Sequence, residues 1–391
     1  MWVRNYETCG LWRTRLTGGI MKHVAYIEDE NLHHVFTERI IRRIREVTGA
    51  DFLTVISAGE FCANGFPIKI PERVRVEQMA QCGADLVLGL PVISALGGQG
   101  KKIFASMALV QKLRSVDAVA VPVVMIEGVG RTELEQRLRS YAMTLFRESR
   151  EFKKELMRNL KENDDFSEAQ RNTLLLLCPN SEQILKSDTN WHAVQLLDAM
   201  LQLYYQPRIA FVDVTEAVVD MMAEVMEAVL EDHFRREHGA LNSIQRVGDR
   251  VTERLENLPD FQVMMSIFGS REEIVNLIRE KLPMLLQTYD FPTVLSHLCQ
   301  FDSLKGKRAE LRLYLTRLIF RIRHEDMMVA ELYSYCPYGK ILFLNPERPK
   351  EVDSLIRKSW VDLTDGPDEK ADASRRIFYE IDWRQQELLQ D

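Results

Sequence analysis

Alternation of short apolar runs with longer amphipathic stretches is the feature that most constrains this fold. Strand-like runs rich in β-branched residues occur at 23–27, 51–56, 85–88 and 117–121. Between them, apolar residues recur at helical spacing over 34–48, 72–81 and 101–113. Strands that are apolar on both faces are typical of a parallel sheet covered by helices on each side. The pattern therefore predicts an α/β, Rossmann-like domain with a parallel sheet over residues 21–130, with its ligand site beyond the carboxyl ends of the strands.

Beyond about residue 130, charged amphipathic stretches dominate, which predicts a mainly helical second domain over 131–391. Predicted helices cover 133–159, 168–177, 191–204, 215–236, 244–258, 272–288 and 309–325, with one short strand region near 337–344. Residues 1–20 have arginines but no apolar run, so we expect a loose N-terminal extension rather than a signal peptide.

Composition narrows the class of protein. No segment approaches the 18 uninterrupted apolar residues of a membrane helix, so no membrane association is expected. The six cysteines are widely separated and form no zinc pattern, which favours buried thiols, no metal site and a cytoplasmic location. The net charge of −7 gives no overall attraction for nucleic acid, so an RNA site would have to be a local basic patch.

Three local features could contact phosphate. Gly97–Lys102 places small residues and two lysines before a predicted helix, although it lacks the Walker spacing and also fits a flexible turn. The glycines at 128 and 130 follow a strand but also fit an ordinary loop. His33 and His34 follow the first strand, where paired histidines stabilise transferred phosphate in adenylyl-transferring domains; alone, the pair also fits a surface feature.

The densest basic run lies in the second half. Arg317 and Arg321 are four residues apart, so they can share a helix face and follow an RNA backbone, with Tyr314 available for base stacking. The alternative is the solvated face of a charged helix. The predicted RNA-binding residues are Lys305, Lys307, Arg308, Arg317 and Arg321.

Two segments carry a family resemblance. The run from Ile56 to Pro67, followed by Arg75 and the run Cys82–Pro91, resembles the tRNA(Met) cytidine acetate ligase family of the nucleotidyltransferase superfamily. Weaker likeness continues at Pro179-Asn180, Lys307-Arg308 and 338–345. The resemblance implies that ATP and acetate form acetyl-adenylate, with magnesium, and that the acetyl group passes to the wobble cytidine of elongator tRNA(Met). It also implies nucleotide-binding positions at Gly59, Gly65, Arg75 and Asn180.

The sequence departs from this family in the segment that carries the family's catalytic signature. The H-x-G-H signature is missing, and an acidic Glu28-Asp-Glu30 segment stands before His33 and His34, the remaining candidates for the catalytic histidines. Negative charge at that point disfavours a triphosphate. Two hypotheses follow: a diverged ATP-dependent ligase, or a catalytically impaired paralogue that binds tRNA or a nucleotide. The sequence does not indicate an oligomeric state.

Overall fold

A seven-stranded sheet forms the centre of the protein in a computed structural model. The structure describes residues 22–30, 35–65, 68, 70–162, 165–216, 255, 258–287, 294, 297–298, 300, 308–366 and 373–389. The strands are β1 His23–Ile27, β2 Phe52–Ile56, β3 Leu86–Gly89, β4 Ala118–Val123, β5 Arg208–Asp213, β6 Tyr338–Leu344 and β7 Asp362–Thr364. Their spatial order is β5-β4-β1-β2-β3-β6-β7.

Pairing within the sheet is mostly parallel. Strands β1 to β5 pair parallel with one another, β6 pairs antiparallel with β3, with Leu86 opposite Leu344, and β7 pairs parallel with β6. The chain moves from β1 to β2 and β3 in one direction, and then returns to place β4 and β5 on the other side of β1. The strand order therefore reverses between β1 and β4, where ligands bind in doubly wound sheets.

Helices cover both faces of the sheet. They are α1 Val35–Thr48, α2 Glu72–Gln81, α3 Val92–Ala95, α4 Gln99–Leu113, α5 Arg131–Arg147, α6 Arg150–Glu162, α7 Phe166–Leu177, α8 Ser181–Leu185, α9 Asp188–Gln202, α10 Phe261–Ser266, α11 Glu272–Leu286, α12 Arg308–Phe320, α13 His324–Leu332, α14 Pro349–Lys358 and α15 Ala373–Leu389. None of the described helices is long and apolar enough to cross a membrane.

Successive residues of the central strands enter different cores, because side chains alternate across a sheet. Val24 and Tyr26 of β1 pack with α1 on one face, whereas Ala25 and Ile27 belong to the larger core on the other face. Every residue of β1, β2 and β4 is buried. This two-sided burial produces the near-continuous apolar runs in the sequence, and the predicted α/β fold is confirmed.

The second half differs from its predicted pattern. Strands β5, β6 and β7 all join the sheet from beyond residue 130, and only the region of β6 was expected as a strand. Two predicted long helices are each divided at a residue with positive φ, Glu148 at 41° and Arg321 at 53°. The predicted extension 1–20 and nearly all of the predicted helices 215–236 and 244–258 lie outside the described residues.

Candidate functional site

The loop that leaves β1 at the strand-order reversal carries a buried ion pair. Glu28 accepts a hydrogen bond from the backbone N–H of Ala58 at 2.8 Å and an ionic hydrogen bond from Nη1 of Arg75. Arg75 comes from α2 and is fully buried. Its Nε donates to the carbonyl of Ile70 at 3.1 Å, and its Nη2 donates to the carbonyl of Gly59. Arg75, predicted to bind a nucleotide, is held within the protein by Glu28 and two carbonyl groups.

A second buried ion pair lies two residues further along the same loop. Glu30 pairs with Lys102 of α4, and both carboxylate oxygens of Glu30 lie 3.1 Å from the backbone nitrogen of Ala63. Lys102 Nζ also donates to the carbonyl of Phe61 at 3.0 Å. Each partner is more than nine-tenths buried. The acidic segment thus neutralises two cations near the carboxyl edge of the sheet.

Both glycines that were predicted to bind a nucleotide have positive φ and contact other parts of the protein closely. Gly59 has φ +81° and its carbonyl accepts from Arg75. Gly65 has φ +86°, and a Cβ there would lie 3.0 Å from Oγ1 of Thr316 and 3.1 Å from Cα of Leu313. Gly65 therefore permits a close approach of α12. Asn180, the fourth predicted position, is exposed before the short helix α8, with φ 58°.

Two residues of α9 reach the strand-order reversal and were not predicted. Asn190 is fully buried; it accepts from the backbone N–H of Val124 at 2.9 Å and donates to the Val124 carbonyl at 3.0 Å, which fixes α9 to the end of β4. His192 is also buried, with Nδ1 3.9 Å from Oδ1 of Asp29, too long for a hydrogen bond. Neither ring nitrogen of His192 has a hydrogen-bond partner among the described residues.

The predicted basic face of α12 does not form as expected. Arg317 is 6% exposed, and its guanidinium donates to the carbonyls of Leu96 at 2.8 Å and Phe268 at 3.3 Å. Arg321 lies just beyond the end of α12 and is exposed. Tyr314, expected to stack on a base, is fully buried and donates to the Met264 carbonyl at 3.0 Å. The helix turns Arg317 and Tyr314 inward because its neighbours α10 and α3 cover that face.

The remaining predicted catalytic and RNA-binding positions lie outside the residues that the structure describes. His33, His34, Lys305 and Lys307 lie outside the described residues, as does the side chain of Arg308. Within the described part of the chain, no group of three or more His, Cys, Asp or Glu side chains is arranged to hold a metal ion. Burial raises the pKa of the Cys336 thiol to about 11 and that of Cys62 to about 12, so both favour the unreactive thiol form.

Similarity to known proteins agrees with this architecture. A family model described as HIGH Nucleotidyl Transferase matches residues 31–214. The tRNA(Met) cytidine acetate ligase of Thermoanaerobacter sp. (strain X514) is 22% identical over 265 residues, which cover 66% of this chain and 60% of that protein. The chain is thus similar to the tRNA(Met) cytidine acetate ligases at low sequence identity. The Thermotoga maritima ligase is 28% identical over 146 residues, 36% of this chain and 33% of that protein.

The same relationship is visible in three dimensions. A crystal structure of Thermotoga maritima TmcAL bound with alpha-thio ATP matches with a TM-score of 0.68 at 17% identity, covering 94% of this chain and 92% of that chain. An apo form of the same protein matches with a TM-score of 0.67. At this identity the match establishes the shared fold. In sequence, the chain aligns with about 60% of the length of the first of these ligase relatives.

The described edge of the sheet does not fit a triphosphate in this arrangement. Glu28, Asp29 and Glu30 are all buried or nearly so at the end of β1. The nearby cations, Arg75 and Lys102, are already bound to two of these carboxylates. A nucleotide that took either cation would leave a carboxylate buried beside its phosphates, which is a repulsive arrangement.

Proposed function

We propose that the protein is a tRNA-binding relative of the acetate ligases that does not form acetyl-adenylate from ATP. The observation that carries this proposal is the pair of buried ion pairs, Glu28–Arg75 and Glu30–Lys102, at the carboxyl edge of the sheet. The sequence adds support because the H-x-G-H signature is missing. The similarity to tRNA(Met) cytidine acetate ligases supports tRNA as the partner.

Simple electrostatics supports the proposed exclusion of ATP. Two like charges 4 Å apart repel by roughly 4 kcal/mol at an effective dielectric constant near 20. A triphosphate displacing Glu28 from Arg75, or Glu30 from Lys102, would introduce at least one such contact. The displacement would also break a buried pair whose carboxylate accepts a backbone hydrogen bond, from Ala58 in the case of Glu28 and from Ala63 in the case of Glu30. ATP binding would therefore have to overcome both costs before any chemistry began.

The second candidate is the complete ligase reaction. In it, ATP and acetate form acetyl-adenylate and the acetyl group passes to the wobble cytidine of elongator tRNA(Met). The match in fold to TmcAL crystallised with alpha-thio ATP favours it. The buried His192, whose ring nitrogens have no hydrogen-bond partner among the described residues, would then be a polar group facing the reversal between β1 and β4.

A binding and activity experiment separates the two candidates. We expect the protein to bind elongator tRNA(Met) in a salt-dependent manner, with no saturable binding of ATP and magnesium by calorimetry. Incubation with ATP, labelled acetate and tRNA should give neither adenylate nor acetylcytidine. Acetylcytidine that forms only in the presence of ATP would establish the second candidate, and failure to bind any tRNA would contradict the first.

Variants that remove the two carboxylates test whether their charge repels ATP. We expect Glu28→Gln combined with Glu30→Gln to raise ATP affinity at least about tenfold, because the repulsive carboxylates are removed. The matched control is Glu38→Gln, an exposed residue in an ion pair with Arg42 on α1. Equal ATP binding by the control and the double variant would show that these two carboxylates do not exclude the nucleotide.

A further inference from the structure

Three basic side chains converge on the ring of Phe268, which follows α10. Lys101 Nζ and Arg317 Cζ each lie 4.6 Å from the ring centroid. The His324 ring meets Phe268 edge to face, with 5.4 Å between centroids. Tyr335 adds a second aromatic ring, 5.1 Å from Lys101 Nζ. We refer to Lys101 and Arg317 as the Phe268 cation cluster.

The positive charge of this cluster is not balanced by carboxylates. Among the described residues, Lys101 has no ion pair and no hydrogen-bond acceptor, and Arg317 donates only to the carbonyls of Leu96 and Phe268. Glu310, the acid whose charge acts on Arg317, is itself paired with Arg271 at 3.1 Å. Cation–π contacts attract each cation to a ring but do not cancel its charge.

The lowered pKa values of Lys101 and Arg317 show that their surroundings disfavour the charged forms. Burial lowers the pKa of Lys101, the positive charge of Arg317 lowers it further, and Glu331 opposes this only in part. Burial also lowers the pKa of Arg317, although a guanidinium remains charged at neutral pH. Two cations that repel each other in partly desolvated surroundings would be stabilised by an anion placed between them and solvent.

The neighbouring backbone supplies both space and a favourable field. Lys101 lies in the first turn of α4, a helix of 15 residues whose N-terminal amides favour an anion. Added Cβ atoms at Gly98, just before α4, and at Gly100, in its first turn, would meet nothing within 4 Å, so there is open space beside the start of the helix. Gly98 has φ +97°, which suits glycine. Lys102, about 100° further around α4, faces Glu30 instead.

We infer that the Phe268 cation cluster and the start of α4, at Gly98–Gly100, bind a phosphate group. A phosphate accepts several hydrogen bonds at once, so it can engage the Lys101 ammonium, Nη2 of Arg317 and the first amides of α4 together. The phosphate can belong to a small free anion or to an RNA backbone. This site does not depend on the proposed function, because it uses neither of the two buried ion pairs.

The test measures phosphate binding to the full chain in chloride buffer by calorimetry. One arm titrates inorganic phosphate, and the other a 5′-phosphorylated single-stranded RNA octanucleotide. We expect saturable binding in at least one arm, weakened about tenfold by Lys101→Gln, the effect of losing one charge-assisted hydrogen bond. Binding of phosphate alone identifies a small anion as the source, whereas RNA binding that inorganic phosphate competes away identifies a backbone phosphate.

The matched control is Lys186→Gln, which neutralises an exposed lysine paired with Glu182 on a distant surface. The control should bind phosphate as the unmodified protein does. Without phosphate, the thermal unfolding midpoint of Lys101→Gln should be nearly the same as that of the unmodified protein, because Lys101 is half-buried and makes no hydrogen bond among the described residues. No saturable binding in either arm, or equal affinities for Lys101→Gln and Lys186→Gln, would overturn the inference.

Discussion

Lys101 and Lys102 are adjacent in sequence but belong to opposite electrostatic environments. Lys102 faces the loop after β1, where Glu30 and Glu28 neutralise both buried cations. Lys101 faces the Phe268 cation cluster, where no carboxylate among the described residues pairs with Lys101 or Arg317. Burying a charge is costly unless it is paired, so a paired cation is explained by the fold alone. A cation without a carboxylate partner keeps a charge that an anion from outside the chain can neutralise.

The largest effect is expected from removing one partner of a paired cation. Arg75→Met would leave Glu28 charged and buried, so we expect the free energy of unfolding to fall by about 3–5 kcal/mol. Urea unfolding at pH 7 measures this change. Combining it with Glu28→Gln should recover much of the loss, since no buried carboxylate then lacks a cation.

Arg73→Met is the matched control for this substitution. Arg73 lies two residues away on the same helix, is 72% exposed and pairs with Glu77. Exposed pairs contribute little, so its change should stay within about 0.5 kcal/mol. If Arg75→Met costs no more than Arg73→Met, the Glu28–Arg75 pair does not hold the loop in place.

Asp198 on α9 shows what happens to a buried carboxylate whose hydrogen-bond partner, Gln202 at 2.7 Å, is neutral. Burial raises its pKa to about 7, whereas the unfolded chain ionises near 3.8. Between these values the folded protein holds a proton that the unfolded chain releases, so this residue lowers stability as pH rises. We expect Asp198→Asn to stabilise the protein more at pH 8 than at pH 5, by roughly 2–3 kcal/mol.

Urea unfolding at both pH values measures the difference. Asp188→Asn at the start of the same helix provides the comparison, because Asp188 is 66% exposed and should give no such pH dependence. An equal gain for Asp198→Asn at the two pH values would mean that Asp198 ionises normally in the folded protein.

The smallest effect concerns an exposed cation. Arg321→Gln should leave stability nearly unchanged and reduce the slope of log affinity for tRNA against log salt by about 0.7–0.9, the value for one phosphate contact. Arg147→Gln, an exposed residue on α5, should not change the slope. Neutralising Lys305, Lys307 and Arg308 together should reduce the slope further. An unchanged slope after all four substitutions would place the RNA contacts elsewhere.

Local patterns in the sequence were sufficient for the first half of the fold. The bounds of α2 agree with the predicted 72–81, and β1 to β4 lie where the apolar runs are, because buried parallel strands have few alternatives. Strand β5 follows Pro207 and has an exposed first residue, so its edge position weakens the apolar signal. Strand β7 has only three residues, which is too short for any periodicity.

The site was harder to predict because its pairs are distant in sequence. Glu28 meets Arg75 and Glu30 meets Lys102 only after β1, α2 and α4 assemble. The acidic segment was expected to disfavour a triphosphate, but its partners were not visible. Arg317 and Tyr314 have the residue types of an RNA surface, yet burial depends on which elements cover α12. His192 and Asn190 gave no sequence signal, since single polar residues on an apolar helix have many roles.

The antiparallel pairing of β3 with β6 has a consequence for synthesis on the ribosome. The two strands are separated by about 250 residues of chain. At a translation rate of about 5–20 residues per second, β3 would wait roughly 10–50 s with one hydrogen-bonding edge unpaired. Unpaired apolar edges promote aggregation, so the nascent chain should depend on chaperone protection until β6 emerges.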